Sequence, residues 1–212
     1  MTHPIEQFTQ YDTFSFATGL INDAQRQVVQ EYQKNITDLI IQQKWKQAME
    51  VVDDMSSAIV TWGGGFNVYD IREFGDYDFS AMNKYLALPQ VKEMMHTVGH
   101  EYHECDTKAY ENLYKDMPKT VRPLMIALLN NGVPAILYNG QFDWIINNFG
   151  AETWINNMPW NGRLGFLAAK RAPWHTNGSV SGYHQQYKNL HQVIVSGAGH
   201  LSPMNQPAAL NQ

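Results

Sequence analysis

The spacing of apolar residues predicts that the first half of the chain is helical. One helix is predicted from Lys44 to Ile59, where apolar side chains recur three or four positions apart, at Trp45, Ala48, Val51, Val52, Met55 and Ile59. Before it, Asn22-Asp23 is a candidate N-cap for a run over 25–33, and a second run covers 36–43. Three glycines, Gly63 to Gly65, end this block. Shorter helices are predicted over 80–86, 89–97 and 121–131.

The second half of the chain carries strand patterns. Residues 133–138 form a short apolar run after an Asn-Gly pair, which predicts a buried strand. Strand-like runs recur over 182–187 and 192–196. Asp143 and His200 each lie a few residues beyond one of these predicted strands. In open α/β sheets, active-site groups gather at the carboxyl ends of the strands, so both residues are candidates for a site.

Composition narrows the possible functions. The chain has 212 residues, 44% hydrophobic and 17% charged, which fits one globular domain or most of one. A net charge of −5 gives no indication of a nucleic-acid surface, and no apolar run is long enough to span a membrane. Cys105 is the only cysteine, so no internal disulfide is expected. We expect no metal site, because the cluster His96, His100 and His103 fits a solvated polar surface better.

Asp143 and His200 are the residue types that a nucleophilic hydrolase needs beside its nucleophile. The histidine takes the nucleophile's proton, and the carboxylate orients the imidazole and stabilises its charged form. The order Asp before His is that of α/β-hydrolases, and Gly197 and Gly199 would let the backbone turn tightly before the histidine. Spacing alone leaves open that the two residues are ordinary capping or surface-loop residues.

The sequence around the two residues resembles that of a known family. The segment Tyr138-Asn-Gly-Gln-Phe-Asp-Trp-Ile-Ile-Asn-Asn-Phe-Gly150 resembles the acid loop of the serine carboxypeptidases, peptidase family S10. The segment Gly197-Ala-Gly-His-Leu-Ser-Pro-Met-Asn-Gln-Pro207 is similar to the histidine loop of that family. Residues 178–183 and Tyr69-Asp-Ile-Arg72 match further family segments, so the resemblance covers nearly the whole chain. It implies an α/β-hydrolase fold whose helical insertion caps the sheet.

The resemblance also implies roles for individual residues. Asp143 would be the acid of the catalytic triad and His200 its base. Trp144, beside the acid, is a candidate for the wall of a substrate pocket. Ile146 stands where some members of the family have a cysteine that lines the specificity pocket. Leu201 replaces a common methionine next to the histidine, with little change in volume.

The nucleophile of such a triad is not found in the sequence. α/β-Hydrolases carry it in a G-x-S-x-G turn, and the only glycines four apart, Gly178 and Gly182, have Val180 between them. The resemblance places the serine upstream of everything present here. We therefore interpret residues 1–212 as the C-terminal part of an α/β-hydrolase with an incomplete sheet and an insertion over 22–131. The alternative is a natural short chain, either half of a two-chain enzyme or a non-catalytic remnant.

The function implied by the resemblance is a serine-type carboxypeptidase that needs no cofactor and acts on peptides. This chain alone would be inactive without the N-terminal segment that carries the serine. An acyltransferase of the same family and a non-catalytic binding protein are the alternatives. Asn35 and Asn177 begin N-x-[ST] sequons, which fit the lysosomal, vacuolar or secreted locations that the family implies.

Overall fold

The computed structural model describes residues 2–210, in which helices pack against a single four-stranded sheet. Its helices are α1 (Pro4–Phe8), α2 (Tyr11–Ala17), α3 (Asp23–Ile41), α4 (Trp45–Trp62), α5 (Ser80–Leu86), α6 (Pro89–Met94), α7 (Thr107–Leu113), α8 (Arg122–Asn130), α9 (Asn148–Asn157), α10 (Arg163–Ala168), α11 (Ser202–Asn205) and α12 (Pro207–Leu210). Its strands are β1 (Ala135–Gly140), β2 (Ala172–Thr176), β3 (Ser179–Tyr187) and β4 (Leu190–Val195). No helix in this range is long and apolar enough to cross a bilayer.

The sheet has the strand order β1-β4-β3-β2. β2, β3 and β4 form an antiparallel meander, and β1 pairs with β4 in parallel, with Tyr138 opposite Val193 and Gly140 opposite Val195. The parallel pair matters most for function, because it brings the carboxyl ends of β1 and β4 to the same edge of the sheet.

Two long helices build the first core. The predicted N-cap is confirmed, since the Asn22 side chain accepts from the Gln25 N–H and the Gln25 side chain accepts in return from the Asn22 N–H. The two runs predicted after it form one continuous helix, α3. The predicted helix over 44–59 is confirmed as α4. The buried residues of this core are Phe8, Tyr11, Phe14, Ile21, Val29, Ile36, Ile40, Ala48, Met49, Val52, Met55, Ile59, Phe66 and Trp144.

The second core lies under one face of the sheet. Leu129 of α8 packs there with Trp154 and Ile155 of α9, with Met158 just after that helix, and with Leu190 of β4. The division into cores therefore does not follow the predicted insertion over 22–131. α8 belongs to the sheet core, and α1 and α2 belong to the helical core. The insertion as a domain unit remains a prediction.

The prediction of a buried strand over 133–138 was wrong in its bounds and its burial. β1 runs from Ala135 to Gly140, and its side chains alternate, with Ile136 66% and Tyr138 48% exposed. Among the described strands only β4 pairs with β1, and on the face that carries Ile136 and Tyr138 only the short helix α12 lies nearby. The helices α1, α2, α7, α10 and α11 and the strand β2 were not predicted, because they are short and carry only weak periodicity.

Candidate active site

The loops after β1 and β4 place Asp143 and His200 side by side. Asp143 lies three residues beyond the end of β1, and His200 lies five residues beyond the end of β4. Phe142 N–H donates to the Ala198 carbonyl at 2.9 Å, which links the two loops directly. The expected position of both residues at the carboxyl edge of the sheet is confirmed.

The two side chains are hydrogen-bonded, with His200 Nδ1 2.9 Å from Asp143 Oδ2. An ionised carboxylate can only accept, so Nδ1 carries the proton and Nε2 presents a lone pair. The other carboxylate oxygen, Oδ1, accepts from the Ile146 N–H at 2.9 Å. The Asp143 side chain is 3% exposed and the His200 side chain 36%. The carboxylate is thus fixed and sheltered, while the outer edge of the imidazole faces solvent.

The loop that carries Asp143 is anchored to the helical core. Trp144 is buried and its Nε1–H donates to Ser15 Oγ at 2.9 Å. The Tyr11 hydroxyl donates to the Ile145 carbonyl at 2.6 Å, and its ring packs 4.5 Å from that of Trp144. Burial, together with the charge of Asp143, raises the pKa of Tyr11, so its hydroxyl remains a donor. Asp143 therefore sits on a loop with little freedom to move.

A segment distant in sequence, residues 68–72, lies against both loops. The His200 N–H donates to the Tyr69 carbonyl at 2.6 Å, and the Ile71 N–H donates to the Phe142 carbonyl at 3.1 Å. The Tyr69 ring also packs on the His200 imidazole, with centroids 5.4 Å apart. The sequence identified Tyr69 to Arg72 only as a family segment, and its contact with the histidine was missed.

An ion pair holds the 68–72 segment in shape. The guanidinium of Arg72 donates to both carboxylate oxygens of the buried Asp70, from Nε at 2.8 Å and from Nη2 at 2.6 Å. Nη2 also donates to the Gly197 carbonyl at 3.1 Å, and the guanidinium stacks on the Phe142 ring at 4.4 Å. The hydrogen bond to Asp70 raises the pKa of Arg72, so the guanidinium keeps its charge.

The two glycines before His200 have different roles. Gly197 has a φ of 68°, a left-handed conformation that favours glycine and turns the chain after β4. Gly199 instead lets the histidine loop pack closely against the 68–72 segment. A Cβ at this position would collide with the Tyr69 carbonyl oxygen and the Asp70 side chain. The expected tight turn thus belongs to Gly197.

A cavity of about 490 Å³ lies between α4 and the loop after β1. It is lined by Phe8, Tyr11, Met49, Val52, Asp53, Ser56, Val68, Tyr69, Tyr110, Met117, Trp144, Ile145 and Ile146. Two of the three predicted pocket residues, Trp144 and Ile146, belong to this lining. Leu201 does not; it is half-buried at the N-terminus of α11.

The remaining candidates lie away from this site. The Asn35 side chain is exposed on α3, and Asn177 is exposed in the turn between β2 and β3 with a φ of 51°. His96, His100 and His103 are exposed, and α6 ends before the first of them. Over residues 2–210, no three His, Cys, Asp or Glu side chains come close enough to hold a metal ion together.

Comparisons with known proteins identify the family of the chain. The sequence model of the serine carboxypeptidase family matches residues 1–212. The chain is 35% identical to a probable serine carboxypeptidase of Dictyostelium discoideum over 97% of its own length and 42% of that protein's. It is 34% identical to serine carboxypeptidase-like 49 of Arabidopsis thaliana over 75% of its length and 32% of that protein's.

A solved structure shares the fold. The crystal structure of Kex1(delta)p, a prohormone-processing carboxypeptidase from Saccharomyces cerevisiae, superposes with a TM-score of 0.77 at 22% identity. The superposition covers 97% of this chain and 50% of the yeast protein. The chain belongs to the serine carboxypeptidase family and has the α/β-hydrolase fold of that family. It spans half or less of the length of these three relatives.

Proposed function

We propose that this chain supplies the acid and the base of a serine carboxypeptidase. The observation that carries the proposal is the 2.9 Å contact between His200 Nδ1 and the buried carboxylate of Asp143. In this arrangement Nε2 is the base that removes a serine proton and later protonates the leaving amine. Asp143 fixes the imidazole tautomer and stabilises the imidazolium that forms.

The serine would come from a segment outside residues 1–212. No G-x-S-x-G turn occurs in the sequence, and His200 Nε2 makes no hydrogen bond to any group within residues 2–210. A segment that pairs with the open side of β1 would bring a nucleophile to the same carboxyl edge as Asp143. By this proposal the chain alone does not hydrolyse peptides.

The reaction would release the C-terminal residue of a peptide through an acyl-enzyme on that serine. The proposed location is lysosomal, vacuolar or extracellular. Family membership supports this location, as do Asn35 and Asn177, the two exposed sequon residues. No cofactor is required, because the proton transfers need only the three side chains of the triad.

The test is the steady-state hydrolysis of an N-blocked dipeptide by the complete enzyme. Replacement His200→Ala or Asp143→Asn is expected to lower kcat by about 10⁴-fold or more, because the general base or its tautomer is lost. The matched control is His175→Ala, which removes an exposed histidine on β2. Unchanged kcat in His200→Ala would refute the proposal. Transfer of the acyl group to an alcohol in preference to water would identify an acyltransferase instead.

A further inference from the structure

Two histidines on neighbouring strands, His184 of β3 and His191 of β4, are in direct contact. They lie diagonally across the antiparallel strand pair, since His184 is opposite Val193 and His191 is opposite Gln186. His184 Nε2 lies 3.0 Å from His191 Nδ1, which is a hydrogen-bonding distance. Both side chains are half-buried. This histidine pair lies away from Asp143 and His200 and has no part in the proposed reaction.

The two rings of the histidine pair meet edge to edge. Their planes differ by 13°, and their centroids are 5.2 Å apart. That separation is close to the largest that a 3.0 Å contact between two ring nitrogens allows, so the two nitrogens lie nearly on the line between the centroids. The N–H of one ring therefore points at the lone pair of the other. This is the geometry of a hydrogen bond between the rings, not of face-to-face stacking.

Within residues 2–210, no charged side chain lines the cavity that the histidine pair borders. This second cavity has a volume of about 320 Å³. Strands β1, β2 and β4 and helix α12 contribute its other lining residues, which are Ile136, Tyr138, Trp174, Val193, Ala209 and Leu210. Tyr138 is the only titratable residue among them, and a phenol carries no charge in acid. A positive charge on the pair therefore meets no carboxylate in this cavity.

The hydrogen bond limits the number of protons that the histidine pair can hold. While both rings are neutral, one inner nitrogen donates and the other accepts. A first added proton goes to the outer nitrogen of the donor ring, and the bond persists as a charged donor facing a neutral acceptor. A second added proton must go to the accepting inner nitrogen. Two N–H groups and two positive charges then face each other across 3.0 Å, so the bond is lost.

We propose that the histidine pair is a pH-sensitive contact between β3 and β4, which holds while the two rings share one inner proton and breaks in acid when both are charged. The inference does not depend on the proposed peptidase function. Burial and the neighbouring His191 lower the pKa of His184 from its usual value of 6.5, which is the direction expected for the ring that is charged last.

The lowered pKa makes acid unfavourable for the folded state. The unfolded chain lacks this contact, so it binds the second proton at a higher pH than the folded chain does. The contribution of the histidine pair to stability is therefore present above about pH 6.5 and is lost as the pH falls towards the folded-state pKa of His184.

NMR titration of the complete enzyme, with its histidines labelled with ¹³C at Cε1, tests the coupling between the two rings. The His184 resonance is assigned by its absence in His184→Gln. We expect this resonance to titrate below pH 6.5 in the unmodified enzyme and to move upwards by about one pH unit in His191→Gln, because its charged form no longer faces another imidazolium. The matched control is His175→Gln, which removes an exposed histidine of β2 that does not line the cavity.

Urea unfolding at about pH 8 and about pH 5 measures the effect on stability. Between these pH values the unmodified enzyme should lose more stability than His184→Gln, by about tenfold in the folding equilibrium constant for each unit by which the pKa of His184 is lowered. Glutamine keeps an amide that can hydrogen-bond to the remaining ring, so both variants should fold. A His184 midpoint that is at or above pH 6.5, or that stays the same in His191→Gln, would overturn the inference. Equal losses of stability in the unmodified enzyme and His184→Gln would overturn it as well.

Discussion

Each oxygen of the Asp143 carboxylate has a specific partner. One accepts from the Ile146 N–H and the other from His200 Nδ1, which leaves the imidazole in the tautomer that a base requires. The sequences that flank Asp143 and His200 were enough to predict that the two residues lie at the same site. The Tyr69 carbonyl that fixes the histidine backbone was not predictable, because a backbone acceptor has no sequence signature.

The close packing at Gly199 predicts that a side chain there would reduce both stability and activity. Gly199→Ala would push a methyl group against the Tyr69 carbonyl and the Asp70 side chain. The chain must shift to relieve this contact, so we expect a loss of about 1–3 kcal/mol in the free energy of unfolding. We also expect kcat to fall roughly 10²-fold, because His200 is displaced. Urea unfolding and steady-state kinetics measure the two effects.

Gly75→Ala is the control for that variant, since a Cβ at Gly75 meets no atom within 4 Å. An alanine at position 199 that left both stability and kcat unchanged would show that the 68–72 segment does not constrain the histidine loop.

At the scale of elements, α2 and α3 are joined through a buried carboxylate. Asp12 on α2 accepts from Arg26 Nε and Gln30 Nε2, both at 2.9 Å, and from Gln33 Nε2 at 3.3 Å. Burial raises the pKa of Asp12, but these hydrogen bonds outweigh it and hold the pKa below its usual value of 3.8. The packing of α2 on α3 therefore depends on an ionised Asp12.

The ionisation of Asp12 makes the stability of the fold depend on pH in a known direction. Because the pKa of Asp12 is lower in the folded state, its contribution to stability is present above about pH 4 and is lost as the pH falls through the folded-state pKa. We expect Asp12→Asn to lower the free energy of unfolding by about 1.5–3 kcal/mol at pH 7, the range for hydrogen bonds to a charged group. The deficit should shrink below pH 4.

Urea unfolding at pH 7 and at pH 3 measures that deficit. Asp38→Asn, which changes an exposed carboxylate on α3, is the control. A deficit that is the same at both pH values would contradict the assignment of the effect to the ionised Asp12.

Which elements could be predicted depended on their length and on what covers them. α3 and α4 were predictable because each buries one long face, with Val29 and Ile36 on α3 and Met55 and Ile59 on α4. The apolar run at β1 suggested burial on both faces. Ala135 and Leu137 do pack against the sheet core, but Ile136 and Tyr138 alternate with them and are exposed. Short helices such as α1 contain too few residues to establish a period.

At the scale of the whole molecule, two cores converge on one edge of the sheet. The helical core holds the acid loop through Tyr11 and Trp144, and the 68–72 segment connects that loop to the histidine loop. Within residues 2–210, His200 Nε2 makes no hydrogen bond and β1 is an edge strand of the sheet. Both could therefore contact a further segment, such as the part of the family's length that this chain does not span. The central claim is that this segment brings the serine that His200 activates.

An organophosphorus reagent tests this claim most directly, because it labels a serine only where a neighbouring base removes its proton. The complete enzyme would be treated with diisopropyl fluorophosphate, and the adduct located by peptide mass spectrometry. We predict one adduct, on a serine outside residues 1–212, whose rate of formation falls at least about 10³-fold in His200→Ala but not in His175→Ala. An adduct on a serine within this chain, or labelling that does not depend on His200, would contradict the account.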